Sequence, residues 1–216
     1  MELEVKTFTL GPLENNTFLL WEKETKQAVL IDPTYEIQTV IDEIRALGLT
    51  LSEVWISHAH FDHVIGILLL LQSFESPPRI RLHKADLGLW RTDAGAQSFN
   101  LHISLPKDPD FFFTDGEKLK VGKVEIEVLH IPGHTPGHVI FYIPQNKVAF
   151  CGDVIFHHSV GRTDLPGGDF ETLITGIKSK IFNLPLDTRL LCGHGPETTV
   201  NEEKKNNPFL QLKRGG

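Results

Sequence analysis

The stretch Ser57-His58-Ala59-His60-Phe61-Asp62-His63 constrains this 216-residue chain more than any other. Four side chains that ligate metals fall within six positions. At the chain's own residue frequencies, that pattern is expected about 0.002 times by chance. The ordinary alternative, a polar loop of solvated side chains, gives no reason for the spacing. The apolar residues Val54-Trp55-Ile56 come just before and read as a short buried strand, so the cluster sits at a strand end. Irregular backbone there lets alternate side chains diverge. His58 and His60 address one point, while Asp62 and His63 turn to a second nearby. Imidazole and carboxylate without thiolate suit zinc, iron or manganese.

One loop supplies too few ligands for a closed site, so others are expected at other strand ends. Three segments qualify: Gly133-His134-Thr135-Pro136-Gly137-His138, Cys151-Gly152-Asp153 and Cys192-Gly193-His194-Gly195. Each places glycine beside a ligand-type residue after an apolar run, where the backbone must bend or approach closely. Any one alone reads as a turn.

The rest of the pattern frames these loops. Strands are expected over 2–9, 17–21, 28–31, 54–56, 79–83, 124–130, 139–143, 147–151 and 189–192. Helices are expected over 37–47, 65–74, 85–90 and 169–182, with Gly11-Pro12 and Asn15-Asn16 as turns and 93–109 as an irregular loop or lid. Strands in consecutive groups, each followed by a helix, favour two sheets with helices outside them over strict strand–helix alternation. No low-complexity linker divides residues 1–216, so one domain is expected. The net charge of −7 argues against a nucleic-acid or polybasic membrane surface. The longest apolar run, Val64 to Leu71, is too short to span a bilayer. Two cysteines, Cys151 and Cys192, make no disulfide framework, and the acidic start Met1-Glu2-Leu3-Glu4 is no signal peptide. A cytoplasmic protein is therefore expected.

From about Leu10 to Leu210 the sequence resembles the metallo-β-lactamase superfamily of metallohydrolases, and within it the compact bacterial glyoxalase II-like proteins. The first loop matches the family's His-x-His-x-Asp-His signature, with Ser57 where threonine is commoner. The resemblance implies an α+β fold, a four-layered αββα sandwich of two mixed β-sheets with helices outside. It implies two divalent metal ions, zinc foremost, with iron or manganese as alternatives. By position, His58, His60 and His134 would bind the first ion. Asp62, His63 and His194 would bind the second, with Asp153 bridging. Asp32 matches an upstream aspartate that orients the metal loop without touching the ions.

The resemblance also implies a reaction. Two cations sharing a water lower its pKa and yield a hydroxide near neutral pH, with Asp62 and Asp153 as the catalytic carboxylates. A thiol leaves as thiolate with little help, so a small-molecule thioester is expected, a hydroxyacyl thioester such as S-lactoylglutathione. True β-lactamases of the superfamily lack the bridging carboxylate, which sets antibiotic hydrolysis aside. Arg162 and Phe156 lie in a stretch that lines the substrate cleft in relatives. Arg162 suits a substrate carboxylate, or else a surface ion pair. Only 22 residues follow His194, so the C-terminal helical domain of glyoxalase II proper is not expected. Two rivals share the superfamily: a persulfide dioxygenase holding one iron through His58, His134 and Asp153, and a hydrolase of lactones or other esters. Bland roles are expected elsewhere. His83, His102, His157 and His158 read as surface or core polar residues, His130 and His138 as strand-end hydrogen-bonding groups, and both cysteines as small buried apolar residues.

Overall fold

The near-continuous apolar runs at 139–143 and 148–151 can sit only in strands covered on both faces, and that burial organises the molecule. A computed structural model describes residues 3–211. The first sheet places β1 (Leu3–Leu10), β2 (Asn15–Glu22), β3 (Gln27–Ile31), β4 (Thr50–Trp55), β5 (Arg79–His83) and β6 (Phe111–Phe113) side by side in that order. The first three strands pair antiparallel, and β3 to β6 pair parallel. The second sheet begins as an antiparallel meander of β7 (Lys118–Val121), β8 (Val124–His130), β9 (Val139–Ile143) and β10 (Val148–Gly152). A small hairpin follows, β11 (Ile155–Phe156) with β12 (Ser159–Val160). Then β13 (Arg189–Cys192) pairs parallel with β10, and β14 (Thr198–Thr199) closes the edge.

Between the sheets, Phe18, Leu20, Ile31, Trp55 and Phe113 of the first meet Ile126, Phe141 and Phe150 of the second in one buried apolar layer. The Phe18 and Phe150 rings lie 5.0 Å apart and those of Trp55 and Phe141 5.3 Å apart. Helix α1 (Gln38–Ala46) lays Val40, Ile41 and Ile44 on the outer face of the first sheet. The short helices α2 (Phe61–Val64), α3 (Ile67–Gln72) and α4 (Leu87–Arg91) lie along the same layer. On the outer face of the second sheet, α5 (Phe170–Ser179) buries Leu173, Ile174 and Ile177 against Ile140, Ala149 and Leu190. Asp169 caps that helix by accepting from the Thr172 N–H. Helices α6 (Val200–Asn206) and α7 (Pro208–Gln211) end the described chain. The architecture is the expected αββα sandwich. Among the described residues, no helix is long and apolar enough to cross a membrane.

Several local expectations are corrected. Asn15 and Asn16 form no turn; they open β2 and are buried. The helix expected over 65–74 is present but shorter, Ile67–Gln72, because the Gly66 N–H bonds to the Pro33 carbonyl, where a side-chain carbon at 66 would collide with the Thr34 carbonyl. As a result Asp62 and His63 sit on the separate turn α2. Residues 93–99 are not plain loop but a kinked run of 3₁₀ turns, with Asp93, Ala94 and Gly95 all left-handed. The strands at 111–113, 118–121, 155–156, 159–160 and 198–199 were not expected; most are short pieces with little alternation. Glu2, where the first strand was expected to begin, lies outside the described residues.

The edges of the two sheets are stitched where the loops of interest emerge. The Asn16 N–H bonds to the Gly193 carbonyl at 2.7 Å, and the Val139 N–H to the Ser57 carbonyl at 2.9 Å. A bulge at Cys151 shifts the β10–β13 register and turns the chain toward Asp153.

Candidate metal centre

Five strand ends bring the residues together. Asp32 follows β3, the His58–His63 loop follows β4, His134 follows β8, Asp153 follows β10 and His194 follows β13. All seven expected ligands converge: donor atoms of His58, His60 and His134 lie within 4.8 Å of one another, as do those of Asp62, His63 and His194, and Asp153 joins His58 and His63 within the same distance.

The first group is three imidazoles. His134 Nε2 lies 3.2 Å from His58 Nε2 and 2.9 Å from His60 Nδ1. Neighbours fix the protons on two of the rings. His134 Nδ1–H donates to the Arg162 carbonyl at 2.7 Å. The Ser57 hydroxyl donates to Asp32 Oδ2 at 2.6 Å, so it accepts from His58 Nδ1–H at 3.0 Å. Both Nε2 atoms therefore carry bare lone pairs, and they point at each other. Burial, with neighbouring histidines adding to it, depresses His58 well below the histidine range and lowers His60 to about 3. Burial lowers His134 as well, against the pull of Asp153. Three neutral imidazoles aimed at one point repel one another unless a cation lies among them.

The second group carries charge. His63 Nδ1–H donates to Asp32 Oδ2 at 3.0 Å, leaving Nε2 3.4 Å from Asp153 Oδ1 and 3.7 Å from Asp62 Oδ2. His194 Nδ1–H donates to the Leu13 carbonyl at 2.9 Å. Its Nε2 faces Asp62 Oδ2 at 3.4 Å and Asp153 Oδ2 at 3.6 Å. Asp153 Oδ2 also lies 3.7 Å from His134 Nε2, so this one carboxylate faces both groups. Burial alone would raise Asp153, yet His63, His194 and His134 hold it well below the carboxylate range. Burial likewise opposes ionisation of Asp62, but His63, His194 and Asn15 bring it to about 2. The His63 ring pays the same burial cost, and Asp153 with Asp62 still raises it well above the histidine range. Two buried carboxylates here demand positive charge. Among the described residues, His63 Nε2 and Asp153 Oδ1 are buried polar atoms without a hydrogen-bond partner, and they face each other. The donor set, the orphaned atoms and the charge balance all fit divalent metal.

The close approach of β13 to Asp153 requires glycine at 193. A side-chain carbon there would collide with Asp153 Oδ1 and lie 2.9 Å from the His63 ring. Asp32, with φ of 53°, sits in a left-handed conformation that aspartate tolerates better than most residues. From it the carboxylate accepts the Ser57 N–H and hydroxyl and the His63 ring N–H. The cysteines are buried and free, with burial pushing Cys192 up to about 12 and Cys151 well above its ordinary value, so neither offers a thiolate.

Three residues support the centre, of which Asn15 and Asp86 were not expected there from sequence. Asn15 Nδ2 donates to Asp62 Oδ2 at 2.8 Å. The fully buried His138 accepts the Asp153 N–H on Nε2 at 3.0 Å and stacks on His58. The expected strand-end hydrogen bond of His138 is thus made, and made to a candidate ligand. Asp86 bonds to both histidine loops. Of the expected substrate contacts, the Phe156 ring lies 6.1 Å from that of His194 and, with Pro196 and Ser159, lines a largely apolar cavity of about 470 Å³. Arg162 is half-exposed and forms two 2.8 Å bonds to Asp164.

Comparison with known proteins follows this geometry. The metallo-beta-lactamase superfamily profile matches residues 10–194. The chain is 38% identical over 212 residues to a protein of Haemophilus influenzae named hydroxyacylglutathione hydrolase GloC, covering 98% of this chain and all of that one. It is similar to the crystal structure of TTHA1623 in a di-iron-bound form, with TM-score 0.85 and 40% identity over 95% of this chain and all of that chain. It is also similar to the crystal structure of BLEG-1 B3 metallo-beta-lactamase, with TM-score 0.89 and 34% identity over 97% of this chain and all of that chain. Profile, relatives and fold agree, and the chain belongs to the metallo-beta-lactamase superfamily.

Proposed function

We propose that this protein is a binuclear metal-dependent thioesterase acting on hydroxyacyl thioesters of the S-lactoylglutathione type. The observation that carries the reading is Asp153, whose carboxylate faces both donor groups at once. His58, His60 and His134 would hold one ion, Asp62, His63 and His194 the other, with Asp153 between them. Imidazole and carboxylate donors accept zinc, iron or manganese, and the di-iron form of TTHA1623 makes iron as strong a candidate as zinc. Two bound cations supply Lewis-acid polarisation of a carbonyl and lower the pKa of water. The acyl–thiol choice rests on full-length similarity to GloC and on the carboxylates present. Asp62, held at about 2 and already accepting from Asn15, rests ionised and would give a leaving group only a proton first taken from the attacking water. A thiolate needs none. The same reading takes it as a cytoplasmic enzyme that engages neither nucleic acid nor membrane, in keeping with its net charge of −7.

Elemental analysis of freshly purified protein beside a substrate panel tests the reading. About two metal ions per chain and cleavage of S-lactoylglutathione are expected. One iron per chain with oxygen uptake on a persulfide would overturn it, as would preference for lactones or simple esters. A second reading, β-lactam hydrolysis, is favoured by the identity to BLEG-1. Its amine leaving group must be protonated to depart whereas a thiolate need not be, so a cephalosporin in the same panel should turn over far more slowly than the thioester.

Two further outcomes are expected. Stripping the protein with a chelator and restoring zinc at about 100 times its Kd should raise Tm by roughly 5–10 °C. An unchanged Tm would mean that zinc is not held by the folded centre. Arg162→Ala should raise KM for an acidic thioester by roughly tenfold and leave a neutral ester nearly unaffected. An exposed pair such as Arg162–Asp164 exchanges partners readily. Equal effects on both substrates would confine Arg162 to that surface pair.

A further inference from the structure

The two histidine loops of the first donor group come from different sheets, and the Val139 N–H to Ser57 carbonyl bond ties them only at their bases. One buried carboxylate spans them. Asp86 ends a 3₁₀ turn, Lys84–Asp86, just after β5 and is fully buried. Its Oδ2 accepts the Ala59 N–H at 3.0 Å and the Thr135 hydroxyl at 2.7 Å, and its Oδ1 accepts the Gly137 N–H at 2.6 Å. Ala59 stands between His58 and His60, and Thr135 directly follows His134. The chain is fitted to this contact: a side-chain carbon at Gly137 would lie 2.7 Å from Asp86 Cγ and from its backbone nitrogen. Asp86 is among neither group of candidate donor atoms, and it makes no hydrogen bond to a histidine ring.

We infer that Asp86 is a positioning residue that clamps the His58–His60 and His134 loops at ligating distance and so sets the metal affinity of the first donor group. This rests on the metal-centre reading above but not on the identity of the substrate. The clamp needs an acceptor on both arms, because both oxygens receive a backbone N–H. Asparagine keeps the shape and fails the chemistry. Its amide nitrogen must face either the Ala59 N–H or the Gly137 N–H, donor against donor, and one loop is pushed off.

The test uses the full chain with zinc as the probe. Asp86→Asn should weaken zinc binding, measured by competition with a chromogenic chelator, by about 10- to 100-fold. The control is Ile177→Ala in the α5 core, which lowers metal-free Tm by removing buried apolar contact and takes away no candidate donor atom. A purely structural role for Asp86 would cost no more zinc affinity than this control does at an equal loss of metal-free Tm. Should Asp86→Asn not fold, Thr135→Val removes one of the three donors and keeps the shape, and it should weaken zinc several-fold. Wild-type affinity in Asp86→Asn, or in Thr135→Val where the first does not fold, would overturn the inference. Wild-type protein that binds zinc yet cleaves no thioester would remove the thioesterase reading, and the affinity ratio would still decide the role of Asp86.

Discussion

Asp153→Ala is expected to abolish measurable thioester cleavage and to lower bound metal from about two ions per chain to one or fewer. The reason is the position of its carboxylate. Oδ1 lies 3.4 Å from His63 Nε2, and Oδ2 faces His194 and His134 at 3.6 and 3.7 Å. Removal leaves the first group with three neutral imidazoles and the second with one carboxylate, so each loses negative charge as well as a donor. Metal-assisted stabilisation of developing charge is worth several kcal/mol, which corresponds to roughly a 10³-fold loss of turnover or more. The fold should survive. The backbone N–H of residue 153 still donates to His138, and β10 and β13 keep their pairing. Far-UV circular dichroism with metal analysis and kinetics on one preparation decides it. A variant that keeps both metals and more than a tenth of wild-type turnover would mean that Asp153 bridges nothing.

The contrast between Asp153 and its supports shows what a sequence discloses about a site of this kind. The ligands are legible because metal chemistry restricts residue type and because strand ends force short spacings. His58, His60, Asp62 and His63 sit within one loop, and glycine flanks Asp153 and His194. The supports lack both marks. Asn15 reaches Asp62 across 47 residues, and Asp86 reaches Thr135 across 49. A lone asparagine or aspartate in a strand or turn has no spacing that announces its partner. Asn15-Asn16 even carries a turn signature, which the edge pairing with Gly193 overrides. The sandwich was legible for a similar reason. Long apolar runs such as 139–143 show double-sided burial, and Val40, Ile41 and Ile44 show helical spacing. The start of α3 only after Gly66 was not, because it depends on a carbonyl at Pro33 that the local pattern does not contain. Strands of two or three residues, such as β11, β12 and β14, are likewise products of tertiary pairing rather than of their own alternation.

Asp32→Asn should be the most damaging change among residues that touch no metal. The Asp32 carboxylate accepts the Ser57 N–H at 2.7 Å, the Ser57 hydroxyl at 2.6 Å and the His63 Nδ1–H at 3.0 Å, all buried. One side chain therefore fixes a ligand in each donor group. It holds His63 directly, and it holds His58 through the Ser57 hydroxyl. An amide cannot accept on both arms. If its nitrogen faces the Oδ2 side, the Ser57 hydroxyl loses its acceptor and turns toward His58 Nδ1. The His58 proton then moves to Nε2, the atom that faces His134, and a ligating lone pair is lost. The His63 ring N–H meets a donor at the same time and rotates or changes tautomer. If the nitrogen faces the Oδ1 side instead, the Ser57 N–H is left buried and unpaired. An unpaired buried donor costs about 1–3 kcal/mol, enough to lower Tm by several degrees in a chain of this size. Loss of such supporting bonds typically weakens metal binding by about 10- to 100-fold. The two effects are separable, because the stability cost appears in the metal-free protein and the tautomer cost appears only in its affinity for zinc. Imidazole nitrogen NMR of the metal-free variant reports the tautomer directly. If His58 keeps its proton on Nδ1 while zinc affinity falls, the tautomer link through the Ser57 hydroxyl is wrong and the loss passes through His63 or the unpaired Ser57 N–H.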